Sequence, residues 1–320
     1  MRLPGIEDLQ EVGHGGFASV YRGWQPAFGR WVAVKVLHGA APDGFQQEAR
    51  AVGSLSEHPH VIPVYEAGHT DGRPYLVMPY LTGGSLQDRI RRGPLRPEEA
   101  LATVQAVADA VSEAHRLGIL HRDIKPANIL FTGYGVPQLG DFGVARMADA
   151  TMTGSFLAAT VAYAAPEVLS GQRATTLSDV YSLGATLYAA LRGASPFGAR
   201  PGELPVAQAI RVVHDQAPSL EEVGVPGSVA ALVARAMSKD PAERFGSAAE
   251  MRDALAGRDR AVAWGPPAGG EPVVAPTEPD AEPVVGPTEP DAEPVIGATE
   301  PRAEPVIGAT ESRPPAGGGP

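Results

Sequence analysis

The 320-residue sequence contains no cysteine, which excludes a disulfide framework, a thiolate metal site and a cysteine nucleophile, and leaves a reducing compartment open. No segment approaches the roughly 18 consecutive apolar residues that a membrane-spanning helix needs. The opening stretch MRLPGIEDLQ lacks both the basic region and the apolar stretch of a secretory signal. The chain therefore reads as cytoplasmic. Positive charge is also scarce, with 26 Lys and Arg against 37 Asp and Glu and a net charge of −11, which argues against broad nucleic-acid binding. The excess sits at one end: residues 264–320 hold ten acids and two arginines, so residues 1–263 carry only −3. Rarest of the charged types is lysine, present only as Lys35, Lys125 and Lys239, while arginine supplies the other 23 cations.

What is present suffices for one large domain and an appendage, since 43% of residues are hydrophobic. Strand character comes first. Residues 12–24 and 31–37 are rich in Val, Tyr and Trp, and the gap between them contains Pro and Gly, as a hairpin loop would. A helix is expected over 44–55 with Asp43 as its cap, and strands over 61–67 and 74–78 around the turn-like HTDGR. From Pro97 the period changes: Leu101, Val104, Ala108, Val111 and His115 share one helical face, and Gly118 supplies a stop. Further helices are expected at about 175–192, 203–215, 228–237 and 247–256.

After Trp264 the composition shifts again. EPVVAPTEPDA begins at Glu271 and recurs at Glu282, Glu293 and, in part, Glu304, a period of 11 residues. Such a period suits a right-handed coiled coil, but proline recurs in every repeat and breaks helices. Pro and Gly make up 23 of residues 264–320, so an extended, solvated linker is the reading adopted. Thr277, Thr288, Thr299 and Thr310 each precede a glutamate at the same point of the repeat. They serve either as phosphoacceptors for a phosphothreonine-binding partner or merely as elements of a repeated spacer.

The first chemical signal is Gly13-His14-Gly15-Gly16-Phe17-Ala18-Ser19-Val20, between two expected strands. Glycines there let backbone approach polyphosphate closely and present N–H donors to it, although a plain hairpin turn has the same composition. Val32-Ala33-Val34-Lys35 follows, placing an ammonium on a neighbouring strand. Two of the three lysines lie inside motifs, which suggests that a compact point charge, rather than arginine's planar fork, is required there. Glu48 is the candidate anionic partner of Lys35, with a solvated surface glutamate as the alternative.

His121-Arg122-Asp123-Ile124-Lys125-Pro126-Ala127-Asn128 and Asp141-Phe142-Gly143 complete the set, with Ala165-Pro166-Glu167 behind them. In this order and spacing the motifs resemble those of the protein kinase family, and in particular its bacterial (Hanks-type, eukaryotic-like) serine/threonine members. The resemblance covers nearly all of residues 6–259. It implies an α+β fold of two lobes, a small β-rich N-lobe at about 6–80 and a larger helical C-lobe at about 81–259, making residues 1–259 the catalytic domain and 260–320 the tail.

The resemblance also implies roles. Asp123 is expected to act as catalytic base and Lys125 to stabilise the transferring phosphoryl group. Asn128 and Asp141 are expected to hold Mg²⁺, with Mn²⁺ as an alternative, and Lys35 to grip the ATP α- and β-phosphates. Gly13, His14, Gly15, Gly16, Phe17, Ala18, Val20 and Ala33 are expected to line the nucleotide site, with the adenine against backbone at Met78, Tyr80 and Leu81. Lys125 and Thr160 match the serine/threonine form, so the expected substrates are Ser and Thr hydroxyls of proteins. Glu167 is expected to pair with Arg244, and Asp179 to accept hydrogen bonds from the catalytic-loop backbone.

Arg122 before Asp123 implies an activation segment ordered by phosphate. Thr151, Thr153, Ser155 and Thr160 are the candidate acceptors. Autophosphorylation at Thr151 or Thr153, through a transient homodimer, is expected to raise activity; a phosphopeptide map after incubation with ATP that lacks both sites would remove this expectation. A polar loop with incidental hydroxyls is the alternative. The sequence departs from the family at Ala18 in the third glycine position, Pro79 in the hinge and Ala159 before Thr160. A nucleotide-binding pseudokinase and a kinase acting on a small metabolite are the competing classes.

Overall fold

The protein is described from a computed structural model covering residues 1, 3–15, 18–38, 49, 52–142 and 161–259. Contacts divide the chain into two units, 1–265 and 266–320, and the second lies outside the described residues. So do Gly16, Phe17, most of the helix expected at 44–55, and the segment 143–160.

Strands β1 (Glu7–His14), β2 (Ala18–Gln25), β3 (Arg30–Leu37), β4 (Glu66–Thr70) and β5 (Arg73–Pro79) form one sheet in the order β1-β2-β3-β5-β4, every pair antiparallel. Val, Tyr and Trp suit these pleated positions. Asp71 and Gly72, with φ of 49° and 73°, make the tight turn between β4 and β5 that HTDGR suggested. Because directly opposed residues share a face, the register separates two layers. Val32, Val34, Val36, Tyr75 and Val77 point outward and are buried beneath Leu3 and Ile6, with Leu9 packed alongside. Val20, Ala33, Lys35, Leu76 and Met78 share the inner face, toward the second lobe.

The strand expected at 61–67 forms only from Glu66, with the Tyr65 N–H donating to Val77 O at 2.7 Å just ahead of it. Residues 60–62 instead belong to the second lobe: Ile62 donates its N–H to Leu139 O at 3.0 Å, and Leu139 donates to His60 O at 2.8 Å. Burial decides this, since Val61 is wholly enclosed in the core of that lobe, and Pro63 has no N–H to offer a ladder.

The second lobe comprises helices α1 (Leu86–Arg91), α2 (Pro97–Arg116), α3 (Pro166–Leu169), α4 (Thr176–Arg192), α5 (Pro205–His214), α6 (Gly227–Ala236) and α7 (Ala248–Asp259), plus the hairpin β6 (Ile129–Phe131) and β7 (Pro137–Leu139). Helix α1 is too short to leave a sequence period; it is started by a capping box in which Ser85 and Asp88 exchange bonds. Helix α2 starts with proline at its first position and stops two residues before Gly118, whose φ of 74° suits glycine. It is buried on more than the face its spacing suggested, because α4, α7 and β7 enclose it. Asp109 on α2 pairs with Arg252 of α7 at 2.7 Å and lies 3.3 Å from His58 of the first lobe's connecting segment. Among the described residues no helix is long and apolar enough to cross a membrane.

Candidate active site

The loop between α2 and β6 carries a cluster of polar side chains. Lys125 Nζ lies 2.8 Å from Asp123 Oδ2. The Asn128 amide donates to Asp123 Oδ2 at 3.0 Å and to its backbone oxygen at 2.7 Å. Both amide protons being engaged in holding Asp123, the Asn128 side-chain oxygen is left as the acceptor.

This loop is held from below by Asp179, near the start of α4. Its Oδ2 accepts from the His121 backbone N–H at 2.9 Å, and its Oδ1 accepts from the Arg122 N–H at 2.9 Å. His115 Nε2 reaches Oδ2 at 2.8 Å. Arg122 has a φ of 68°, a left-handed conformation uncommon for a residue with a side chain. The buried carboxylate compensates that strain by fixing two consecutive amides.

Asp141 approaches from the strand end after β7, also in a left-handed conformation with φ of 65°. Lys35, from the inner face of β3, donates to Asp141 Oδ1 at 2.5 Å and so joins the two lobes. Burial acts to raise the Asp141 carboxyl, but the Lys35 ammonium and its hydrogen bond prevail and hold it below the ordinary carboxylate value.

His121 bridges the backbone at Asp123 and at Gly140. Its ring is fully buried, with Nε2 2.9 Å from Gly140 O and Nδ1 accepting the Asp123 N–H at 3.2 Å. Nε2 therefore carries the proton, and burial pushes the ring's pKa down, keeping it neutral. The ring packs on Phe142, centroids 4.6 Å apart. Gly140 N in turn donates to Asn128 O at 2.9 Å.

A second buried cluster ties α3 to the distal helices. Arg244 donates to both oxygens of Glu167, at 2.9 and 2.8 Å, and also to Leu177 O and Ser238 O. Ser178 adds a bond to Glu167 Oε1 at 2.8 Å. Burial opposes ionisation of Glu167, but the Arg244 bonds win and lower its pKa. Breaking such an enclosed pair from one side costs about 3–5 kcal/mol.

Of the residues singled out from the sequence, Asp123, Lys125 and Asn128 meet in one cluster, and Lys35 meets Asp141. Asp179 meets the catalytic-loop backbone and Glu167 meets Arg244. Gly15 N–H donates to Ala18 O at 2.9 Å, closing the hairpin of the glycine loop, and Gly13 and Val20 are cross-strand partners. Ala33 pairs with Met78 at the end of β5, and Tyr80 and Leu81 follow directly, half-buried. Gly16, Phe17, Glu48, Thr151, Thr153, Ser155 and Thr160 lie outside the described residues. Sequence reasoning missed the connecting roles of His115, the His121 ring and Ser178, whose partners are 64, 19 and 11 residues distant. No local pattern signals such pairings.

A search against protein families matches the protein kinase domain over residues 6–255. The chain belongs to the protein kinase family. Bacterial serine/threonine-protein kinases are among the curated relatives of this kinase. It is 47% identical over 259 residues to the serine/threonine-protein kinase PknK of Mycobacterium tuberculosis, covering 78% of this chain and 23% of that protein. It is 38% identical to PknJ of the same species, covering 77% of this chain and 44% of that one. With PrkC of Bacillus subtilis it shares 37% identity, covering 76% and 39%. The chain thus spans less than half the length of these relatives. Among solved structures, Rad53 1-466 in complex with AMP-PNP superposes with a TM-score of 0.64 at 26% identity, covering 78% of this chain and 63% of that one. The fold is accordingly the two-lobed protein kinase fold.

Proposed function

We propose that this chain transfers the γ-phosphate of ATP to serine and threonine hydroxyls of proteins. The observation that carries the reading is the linked pair of carboxylates: Asp123, braced by Asn128 and Lys125, and Asp141, held from the opposite lobe by Lys35. Asp123 is the group that accepts or orients the substrate hydroxyl proton. Lys125, at its side, balances charge on the phosphoryl group in flight, and Lys35 exchanges its contact with Asp141 for phosphate oxygens. The adenine is held by backbone at Met78, Tyr80 and Leu81, under Val20 and Ala33. The presence of lysine at position 125 favours Ser and Thr over Tyr.

The residues present suit a divalent cation taken up together with phosphate. Among the described residues no group of three or more carboxylates or imidazoles forms a dedicated cage, and Mg²⁺ is ordinarily bound by one or two protein oxygens plus phosphates. Asp141 and the Asn128 oxygen are that donor set. When bound, Mg²⁺ or Mn²⁺ supplies charge neutralisation at the phosphates. A cytoplasmic location and activation through Thr151 or Thr153 accord with this reading.

Purified chain incubated with γ-labelled ATP and Mg²⁺ is expected to label a generic protein on Ser or Thr, and Asp123→Asn to lower the rate by about 10²–10⁴-fold. Absence of label with either Mg²⁺ or Mn²⁺, or label confined to tyrosine or to small molecules, would end the proposal.

A further inference from the structure

The glycine loop carries polar contacts that the chemistry above does not use. His14 and Ser19 are direct cross-strand partners of β1 and β2, Ser19 is the partner of Val36 on β3, and His38 follows two residues later. By alternation all lie on the outer face, the side of the sheet away from Lys35 and the inner face. There the Ser19 hydroxyl, in a residue only 3% exposed, lies 3.1 Å from His14 Nδ1 and 3.2 Å from His38 Nε2. His14 Nδ1 is also 3.1 Å from Glu11 Oε1, and the two rings sit 5.9 Å apart.

Proton bookkeeping gives the chain a direction. A carboxylate only accepts, so His14 Nδ1 carries a proton toward Glu11 and Ser19; the Ser19 hydroxyl then has His38 Nε2 as its acceptor. Three strands are thereby joined in sequence at the loop end of the sheet, β1 to β2 to β3. Elsewhere along this edge the β1–β2 register is interrupted, between Glu7 and Gln10 and between Glu11 and Gly13.

We propose that Ser19 and His38 are positioning residues for the glycine loop. Through His14 they set the height of the Gly13–Gly15 backbone over the nucleotide phosphates, without touching the nucleotide. The inference rests on the kinase reading, but its decisive measurement does not require catalysis. The strap acts only where phosphates meet the loop, so ATP and adenosine should respond differently.

Ser19→Ala and His38→Phe are to be titrated with ATP–Mg²⁺ and with adenosine, by calorimetry, alongside the unmodified chain. A lost hydrogen bond of ordinary net strength corresponds to about fivefold. The expected result is about fivefold weaker ATP binding with adenosine affinity unchanged, a matching rise in KM for ATP with kcat altered less than twofold, and recovery in Ser19→Thr. Equal weakening of both ligands would reduce the cluster to a structural role and overturn the proposal, as would unchanged ATP affinity in both variants. If the unmodified chain labels no protein yet binds ATP, the kinase reading fails while the ATP-to-adenosine ratio still decides the strap.

Discussion

Asp179 is one carboxylate doing the work of several contacts, and it is the residue whose removal should separate shape from chemistry. It touches no reacting group, yet it receives the amides of His121 and Arg122 and the ring of His115. In Asp179→Asn one oxygen becomes an NH₂ group that can only face these donors, leaving at least one buried N–H without an acceptor. That loss costs about 1–3 kcal/mol. It should also let Arg122 relax from its φ of 68°, displacing Asp123 next to it. The expected outcome is a lower urea midpoint together with a fall in kcat of about tenfold, while KM for ATP stays near its starting value because Lys35 and the inner sheet face are untouched. A variant with normal kcat would show that the backbone strain is held by something else.

Elements meet at close quarters where α4 crosses α6, and the contact is made by a glycine. A methyl at Gly184 would lie 2.7 Å from Ala236 Cβ and 3.0 Å from Met237 Cγ. Gly184→Ala should therefore force the helices apart and cost about 1–3 kcal/mol. The pairing gives a direct check: Ala236→Gly removes the opposing methyl, so the double variant should recover much of the loss measured in Gly184→Ala by thermal unfolding. Simple additivity of the two would mean that the crossing is not the cause.

This scale also shows what a sequence can reveal. Helices α4 to α7 were legible because their starts and stops are local: proline at the first position of α5, and Gly193 after α4 with a φ of 83°. The motifs of the site were legible because each packs several functional groups into a short run, as from His121 to Asn128. The segment at Val61 was misread because its partner, Leu139, is contributed by a strand 78 residues later. Helix α1 was missed for want of length, and the His14–Ser19–His38 strap because it draws on three strands. Periodicity reports what a segment buries, whereas these features depend on what it buries against.

At the scale of the whole molecule, acid should act in two stages. His121 is buried and neutral, with its pKa pushed by burial below the ordinary 6.5. An unfolded chain takes up that proton as pH falls through 6.5 and the folded one does not, so stability is full above this pH and declines below it. The slope approaches about 1.4 kcal/mol per pH unit for one proton. A second loss begins near pH 4.5, the ordinary glutamate value, because Glu167 is held lower in the folded chain and its pairing with Arg244 is forfeited only as pH drops toward that depressed value. Asp141, likewise lowered, adds to the loss only below about pH 3.8, the ordinary aspartate value. Urea unfolding measured at intervals from pH 7.5 to 2.5 should resolve the stages. His121→Asn should be less stable at neutral pH, since the two bonds of the ring are lost, yet it should lack the decline between pH 6.5 and 4.5 and keep the one below. The same slope in the variant as in the unmodified chain would place the uptake on another histidine, and would show that the link between Asp123 and Gly140 does not hold its ring neutral.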